Sequence, residues 1–289
     1  MEKQKRVIAV HDLSCAGRCS ATVALPILSC AGLETSLLPT ALLSTHTAFP
    51  GVQFHDLTET ILPTVRQWHD LGFEADAVYI GYLGAPHQTQ LLREALSLMA
   101  GPKTRIYIDP VMGDGGKLYS GIDPSFPEVM REFCGLGSVI LPNITEACLL
   151  CDVPYHEGPH EESWIDGLLE RLQKLGQEQT ILTGVMPNEG HIGAAVMDCR
   201  TGRIEKVILP RVEASVCGTG DVFASALIGA QLSGIPAIQA VRIAETFVAD
   251  CIRRSLAEQR DLRRGVNFEA GLGDYIAALK TAQNENAQS

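Results

Sequence analysis

Cys217-Gly218-Thr219-Gly220-Asp221 runs straight into an apolar segment, 222–232, of helical length. Two glycines around a threonine let successive backbone N–H groups point at one spot, and a helix start adds partial positive charge there. That is an anion hole. Asp221 falls in the first helical turn, beside the place a phosphate would occupy. It is either an acid favoured by the helix start or a base that takes a proton from a hydroxyl. The pattern is not a dinucleotide fingerprint, because Phe223 stands at the third glycine position.

A second segment, Asp109-Pro110-Val111-Met112-Gly113-Asp114-Gly115-Gly116-Lys117-Leu118-Tyr119, places two carboxylates at a strand end and in its loop. Both could hold Mg²⁺ or its waters near a triphosphate, with Lys117 neutralising phosphate charge. A solvated Gly/Asp loop reads the same way. It is no P-loop: Val111 stands where the first Gly belongs and Leu118 where Ser or Thr belongs. In Pro142-Asn143-Ile144-Thr145-Glu146, Asn143 and Glu146 share a face of a helix start. Taken alone, the pair reads as a cap with its acid; the functional alternative puts Glu146 in a water-mediated Mg²⁺ shell. His11-Asp12 and Ser44-Thr45-His46-Thr47 lie near the first two strand ends and read alone as capping or surface groups. His55, His69, His87, His156, His160 and His191 show no metal-ligand spacing, and Trp68 and Trp164 fall in helix candidates.

The elements that must position these residues alternate. Strand-like runs cover 6–10, 77–80, 105–108, 138–141 and 180–183; helix candidates cover 21–31, 57–71, 88–99, 127–133 and 162–175. Such alternation implies βαβ units and a mainly parallel sheet with helices on both faces. Residues 193–209 carry two short strands around Thr201-Gly202, and helices are expected at 218–233, 237–255 and 268–281. Ligands of open parallel sheets bind outside the carboxyl ends of the strands. His11-Asp12, Gly81-Tyr82, Asp109-Pro110, Pro142-Asn143 and Thr183-Gly184 should follow five strands there. Segments 51–56 and 113–121 read as loops long enough to move over a site.

The chain has 289 residues, with 23 Lys+Arg, 34 Asp+Glu and a formal charge of −11; 46% are apolar and 20% charged. It can bury a large core as a single α/β domain spanning 1–289. The acid excess argues against a nucleic-acid or anionic-membrane partner. The apolar run 7–10 stops at His11-Asp12, too short for a secretory signal, so the expected location is the cytoplasm. The uncharged stretches 35–54 and 222–241 are interrupted by Pro, Gly, Ser, Thr or Gln and read as core, not membrane spans. Nine cysteines, an odd number, fit that compartment and make no disulfide framework. Cys148 and Cys151 read as core thiols. The polar tail 283–289 reads as frayed.

Together, Gly81-Tyr82-Leu83-Gly84, the Asp109–Asp114 run, Asn143-x-x-Glu146 and Gly218-Thr219-Gly220-Asp221 have the order and spacing of the ribokinase-like superfamily. Within it the chain resembles the vitamin B6 kinases over about residues 7–279. The Gly-x-Gly-Asp element points to the superfamily; the long Asp-Pro-Val-Met-Gly-Asp-Gly-Gly run and Ser44-x-His46-Thr47 point to the B6 branch. The resemblance implies a three-layer α/β/α sandwich around a mainly parallel sheet. It also implies ATP-dependent phosphorylation of the hydroxymethyl group of pyridoxal, pyridoxine or pyridoxamine, with Mg²⁺ and a monovalent cation, in a homodimer.

Carried over by position, Asp221 is the base, and Gly218, Thr219 and Gly220 form the anion hole. Asp12, Thr47 and Tyr82 meet the substrate together with Asp221. Asp109, Asp114, Asn143, Glu146, Thr183, Gly184, Leu209, Pro210, Arg211, Val212 and Thr219 meet ATP, with Asp109, Asp114 and Glu146 on the metal. One departure stands out. B6 kinases often place Ser where Asp12 stands, and a carboxylate there would favour a protonated ring nitrogen or an amino group.

Four other readings compete with this one. A hydroxymethylpyrimidine kinase of thiamin synthesis is the nearest rival, separable by a substrate panel, whereas a sugar kinase needs a β lid for which there is no clear room before Leu57. A catalytically silent B6-binding protein would not need Asp221. A dinucleotide oxidoreductase lacks its glycines after the first strand, where only Gly17 stands. Cys217 beside the anion hole is either a thiol activated by the helix terminus or a buried one, and Cys15 and Cys19 are further thiols near the first strand end.

Overall fold

A computed structural model describes residues 3–214 and 216–288. These fall into two compact units: the described residues of Met1–Asp56 with Arg211–Ser289, and Leu57–Pro210.

The first unit begins with strand β1, Arg6–Ser14, almost wholly buried. A near-continuous Val/Ile-rich run is what a parallel strand covered on both faces requires. Helix α1 (Ala21–Cys30) leads to β2 (Glu34–Leu43), which pairs with β1 in parallel. Strand β3 (Phe54–Asp56) then pairs antiparallel with β2. The expected strand at 6–10 runs on to Ser14, so His11 and Asp12 lie inside it and do not follow it. The pairing register shifts between His11 and Leu13, leaving Asp12 at the irregularity. The uncharged stretch 35–54 is mostly β2 and its turn, and the last residues of the expected mobile loop 51–56 are β3.

The second unit alternates helix and strand: α2 (Thr58–Asp70), β4 (Ala75–Ile80), α3 (Pro86–Met99) and β5 (Ala100–Ile108). A two-stranded hairpin follows, β6 (Gly113–Asp114) with β7 (Lys117–Leu118), where the sequence suggested a free loop. The unit continues through α4 (Phe126–Cys134), β8 (Val139–Ile140), α5 (Ile144–Cys151), α6 (Glu162–Leu172) and β9 (Gln179–Asn188). It ends in the expected hairpin, β10 (His191–Asp198) with β11 (Arg203–Pro210). Strands β4, β5, β8 and β9 are neighbours in that order, all parallel, and β10 and β11 add an antiparallel edge. Strand β9 runs past Thr183 and Gly184, so this pair also lies within a strand.

The chain then returns to the first unit through α7 (Thr219–Leu232), α8 (Ala237–Ala257) and α9 (Leu272–Gln288). Every residue of α7 from Val222 to Ala230 is buried, as expected of a helix apolar on all sides. Tyr275 of α9 is buried against it and donates its hydroxyl to the Ala226 carbonyl at 2.9 Å. The tail differs from expectation. Helix α9 continues through the polar 283–288, because Gln283 donates to the Ser233 carbonyl, while Gln239 of α8 donates to Glu285 and accepts from Asn286. Ser289 lies outside the described residues. Among the described residues no helix is long and apolar enough to cross a membrane.

Candidate active site

In the first unit the Gly-x-Gly-Asp element forms the start of α7 as its sequence requires. Gly218 precedes the helix at φ +75°, and a Cβ there would lie 2.2 Å from the Arg18 carbonyl oxygen. Only glycine fits that close approach. A Cβ at Gly220 would meet nothing within 4 Å, so the helix start is open where an anion would sit. Asp221 lies in the first turn, partly exposed at its surface. Its Oδ2 accepts the Ser20 N–H at 2.8 Å. Burial pushes its pKa up to about 7, and the neighbouring charge of Asp12 adds to the rise.

Asp12 is 4% exposed and accepts from the Ser14 hydroxyl at 2.9 Å; burial raises its pKa too. His11, fully buried beside it, is pushed down to about 3 and is neutral. Thr47 is exposed on a turn pinned by His46. The Ala48 N–H donates to His46 Nδ1, so Nε2 carries the proton and donates to the Arg263 carbonyl at 2.5 Å. Cys217 is half-buried and its thiol is pushed up, the reverse of activation by the helix start.

In the second unit the Asn143/Glu146 spacing closes a reciprocal cap on α5. Asn143 Oδ1 accepts the Glu146 N–H and Glu146 Oε2 accepts the Asn143 N–H, both at 2.9 Å. The same residues hold the Asp109–Tyr119 segment. Glu146 Oε1 accepts the Met112 N–H, Asn143 Nδ2 donates to the Gly113 carbonyl, and Thr145 Oγ1 accepts the Gly116 N–H. Glu146 is 3% exposed, and burial pushes it up to about 8 against the lowering effect of these N–H donors, with Asp114 a further raising charge. Asp109 follows β5 and is buried; Asp114 is exposed on β6 and accepts the Gly115 N–H.

The structure therefore joins Asp12, Asp221 and the Gly218–Gly220 turn within one unit, and Asp114, Asn143, Glu146 and the hairpin within the other. Thr183 donates its N–H to the Pro142 carbonyl, which places β9 beside the α5 start. Tyr82 follows β4, and Leu209 and Pro210 close β11, with Arg211 and Val212 in the coil beyond. No three His, Cys, Asp or Glu side chains among the described residues cluster as a metal site. Sequence reasoning missed Ser14, Ser20, Thr145 and the backbone of Met112. Ser20 could have been flagged only as a helix cap, and that is not what it does.

A family model described as phosphomethylpyrimidine kinase matches residues 40–264. The pyridoxine/pyridoxal/pyridoxamine kinase of Bordetella pertussis is 27% identical over 298 residues, 94% of this chain and 93% of its own length. A candidate phosphomethylpyrimidine kinase from Bacteroides thetaiotaomicron, in a crystal form with pyridoxal, has TM-score 0.90 at 35% identity, covering 94% of this chain and 96% of that one. Pyridoxal kinase from Lactobacillus plantarum has TM-score 0.87 at 29% identity, covering 96% and 99%.

Proposed function

The chain belongs to the phosphomethylpyrimidine kinase family, and from that premise we infer that it phosphorylates the 5′-hydroxymethyl group of a B6 vitamer with ATP. Its fold is the ribokinase-like α/β fold of the pyridoxal kinases it resembles. One observation carries the choice of vitamer over pyrimidine: the Bacteroides relative, named for pyrimidine phosphorylation, holds pyridoxal. Pyrimidine phosphorylation is the second reading, favoured by the family model.

Phosphoryl transfer needs positioning and charge neutralisation more than covalent chemistry. Asp221, with a pKa near 7 and a residue surface that is only partly covered, suits a base that takes the proton of the substrate hydroxyl. The open amides of the Gly218–Gly220 turn suit the charge developing on the migrating phosphoryl group. Asp12, Thr47 and Tyr82 are assigned to the substrate. Asp109, Asp114, Asn143, Glu146, Thr183, Gly184, Leu209, Pro210, Arg211, Val212 and Thr219 are assigned to the nucleotide.

Mg²⁺ keeps several waters and binds through one or two carboxylates plus phosphates. Asp109 and Asp114 fit that role. Glu146 fits it least, since both its oxygens already accept backbone N–H groups. When bound, the ion would neutralise phosphate charge. We further propose a cytoplasmic homodimer.

The test is ATP-to-ADP turnover with Mg²⁺ against pyridoxal, pyridoxamine, pyridoxine, hydroxymethylpyrimidine and ribose, with products identified by mass. A 5′-phosphorylated vitamer dominating is the expected result. Pyrimidine phosphate dominating would move the activity to thiamin synthesis, and no phosphorylated product would leave a binding protein.

A further inference from the structure

Ser20 breaks two local rules at once. It stands directly before α1, where a serine ordinarily turns its hydroxyl onto the first free N–H groups of the helix, yet it makes no such bond. Its backbone lies at φ 49°, ψ −131°, close to the first central position of a type II′ turn, where glycine is the usual residue. The other positive-φ residues that are not glycine among the described residues, Asp152 and Gln259, sit at helix C-terminal ends, where the left-handed conformation is routine. Of these three residues only Ser20 lies at a helix start, and its ψ takes it outside the left-handed helical region.

Such a conformation persists where its surroundings over-determine it. Here the surroundings are two carboxylates. The Ser20 N–H donates to Asp221 Oδ2 at 2.8 Å, and its hydroxyl lies close enough to Asp12 to favour the ionised carboxylate against burial. Its carbonyl still accepts the Val23 and Ala24 N–H groups that begin α1. Cys19, the residue before it, is buried beside both acids, whose charges raise its thiol further; His46 acts on Asp12 through its charge.

We propose that Ser20 is a positioning residue for phosphoryl transfer: one strained residue holds Asp221 by its N–H and sets its hydroxyl beside Asp12, placing base and neighbouring acid as one unit. The proposal rests on the reading of Asp221 as the base. Its consequence runs through charge. The hydroxyl favours ionised Asp12, and that charge disfavours a second one on Asp221. Losing the hydroxyl therefore moves the two acids in opposite directions: Asp12 keeps its proton to higher pH, and Asp221 releases its proton at lower pH.

Ser20→Ala removes the hydroxyl and keeps the N–H; Ser20→Gly does the same while relieving the backbone. The full chain, labelled at its aspartate carboxyls, is titrated by ¹³C NMR as wild type, each Ser20 variant, Asp12→Asn and the Ser20→Ala/Asp12→Asn double variant. The pH profile of kcat/KM for pyridoxal is recorded beside it. In both Ser20 variants the Asp221 midpoint and the acid limb should move to lower pH, and kcat should fall about tenfold, as for a slightly misplaced base. In the Asp12→Asn background Ser20→Ala should add nothing.

Unmoved Asp221 titration in both Ser20 variants overturns the proposal, as does an equal loss of kcat with and without Asp12. Should Ser20→Ala fail to fold, Ser20→Gly decides alone. A wild-type chain that phosphorylates no vitamer defeats the kinase reading instead, while the NMR titration still decides whether Ser20 couples the two acids.

Discussion

Each compact unit carries a carboxylate in the first turn of a helix, and burial lifts both pKa values to similar heights, about 7 for Asp221 and about 8 for Glu146. Their wiring differs. Glu146 is 3% exposed and accepts from its own helix start with one oxygen and from Met112 with the other. Both oxygens are committed to the backbone. Asp221 takes one bond, from Ser20, and keeps part of its surface open. A raised pKa alone does not mark a base. What separates the two is whether an oxygen is left to exchange a proton with something that arrives.

The sharpest way to break this comparison is Asp221→Asn. The amide oxygen can still accept the Ser20 N–H, so the fold stays, while the proton acceptor is gone. Turnover should fall by on the order of 10²–10⁴, the usual range for loss of a general base, with ATP binding intact by calorimetry. Near-normal turnover would end the assignment. Removing this partly buried charge should also leave the protein no less stable in urea at pH 8.

Glu146→Gln should do the reverse. One of two buried N–H groups, of Asn143 or Met112, would then face an amide NH₂, at a cost of about 1–3 kcal/mol. The loss should appear as a lower urea midpoint with an unchanged slope. Because Met112 leads into the hairpin bearing Asp114 and Lys117, KM for ATP should rise more than kcat falls. A loss of kcat as large as that of Asp221→Asn would place Glu146 in the chemistry itself.

Both acids also act on stability across pH, with the same sign. Each folded pKa lies above its ordinary value, 3.8 for Asp221 and 4.5 for Glu146, so between about pH 4 and 8 the folded chain binds more protons than the unfolded one. Stability from these groups is fully present below about pH 4 and declines as pH rises towards 8. Urea unfolding at pH 5 and pH 8 should show the decline, and Asp221→Asn should reduce it. The activity slope is opposite, since a base must be ionised: kcat/KM should rise through pH 7.

Much of this was legible in the residues, and the part that was not has a common cause. The Gly218–Asp221 element is local: its glycines and its helix lie within a few residues, so spacing alone gave the turn and the position of Asp221. The reciprocal cap of Asn143 and Glu146 is likewise a three-residue event. Strand runs such as 77–80 and 105–108 announced themselves by β-branched composition, but β1 extends to Ser14 only because β2 lies beside it. The polar end of α9 is helical because Ser233 and Gln239, about 50 positions away, hold it. Thr145 meets Gly116 across 29 positions. Ser20 lay furthest from view: its positive φ answers to Asp221, 201 positions away.

The smallest expected effect concerns specificity, where the first unit differs from the usual B6 kinase pattern. Asp12 places a second buried carboxylate beside the base, whereas the acid that raises Glu146 is the exposed Asp114. Asp12→Ser exchanges an ionisable acceptor for a neutral one. A hydrogen bond to a charged group is worth about 1 kcal/mol more than one between neutral groups, so the change should reduce kcat/KM for pyridoxamine, relative to pyridoxine, by about fivefold. Pyridoxine lacks the amine and should be the less sensitive of the two. Because the same substitution removes the charge that raises Asp221, the acid limb of the profile should shift to lower pH for both substrates alike. A uniform pH shift with no change in vitamer ranking would mean that Asp12 tunes the base without touching the ring. A changed ranking with an unmoved limb would mean the converse.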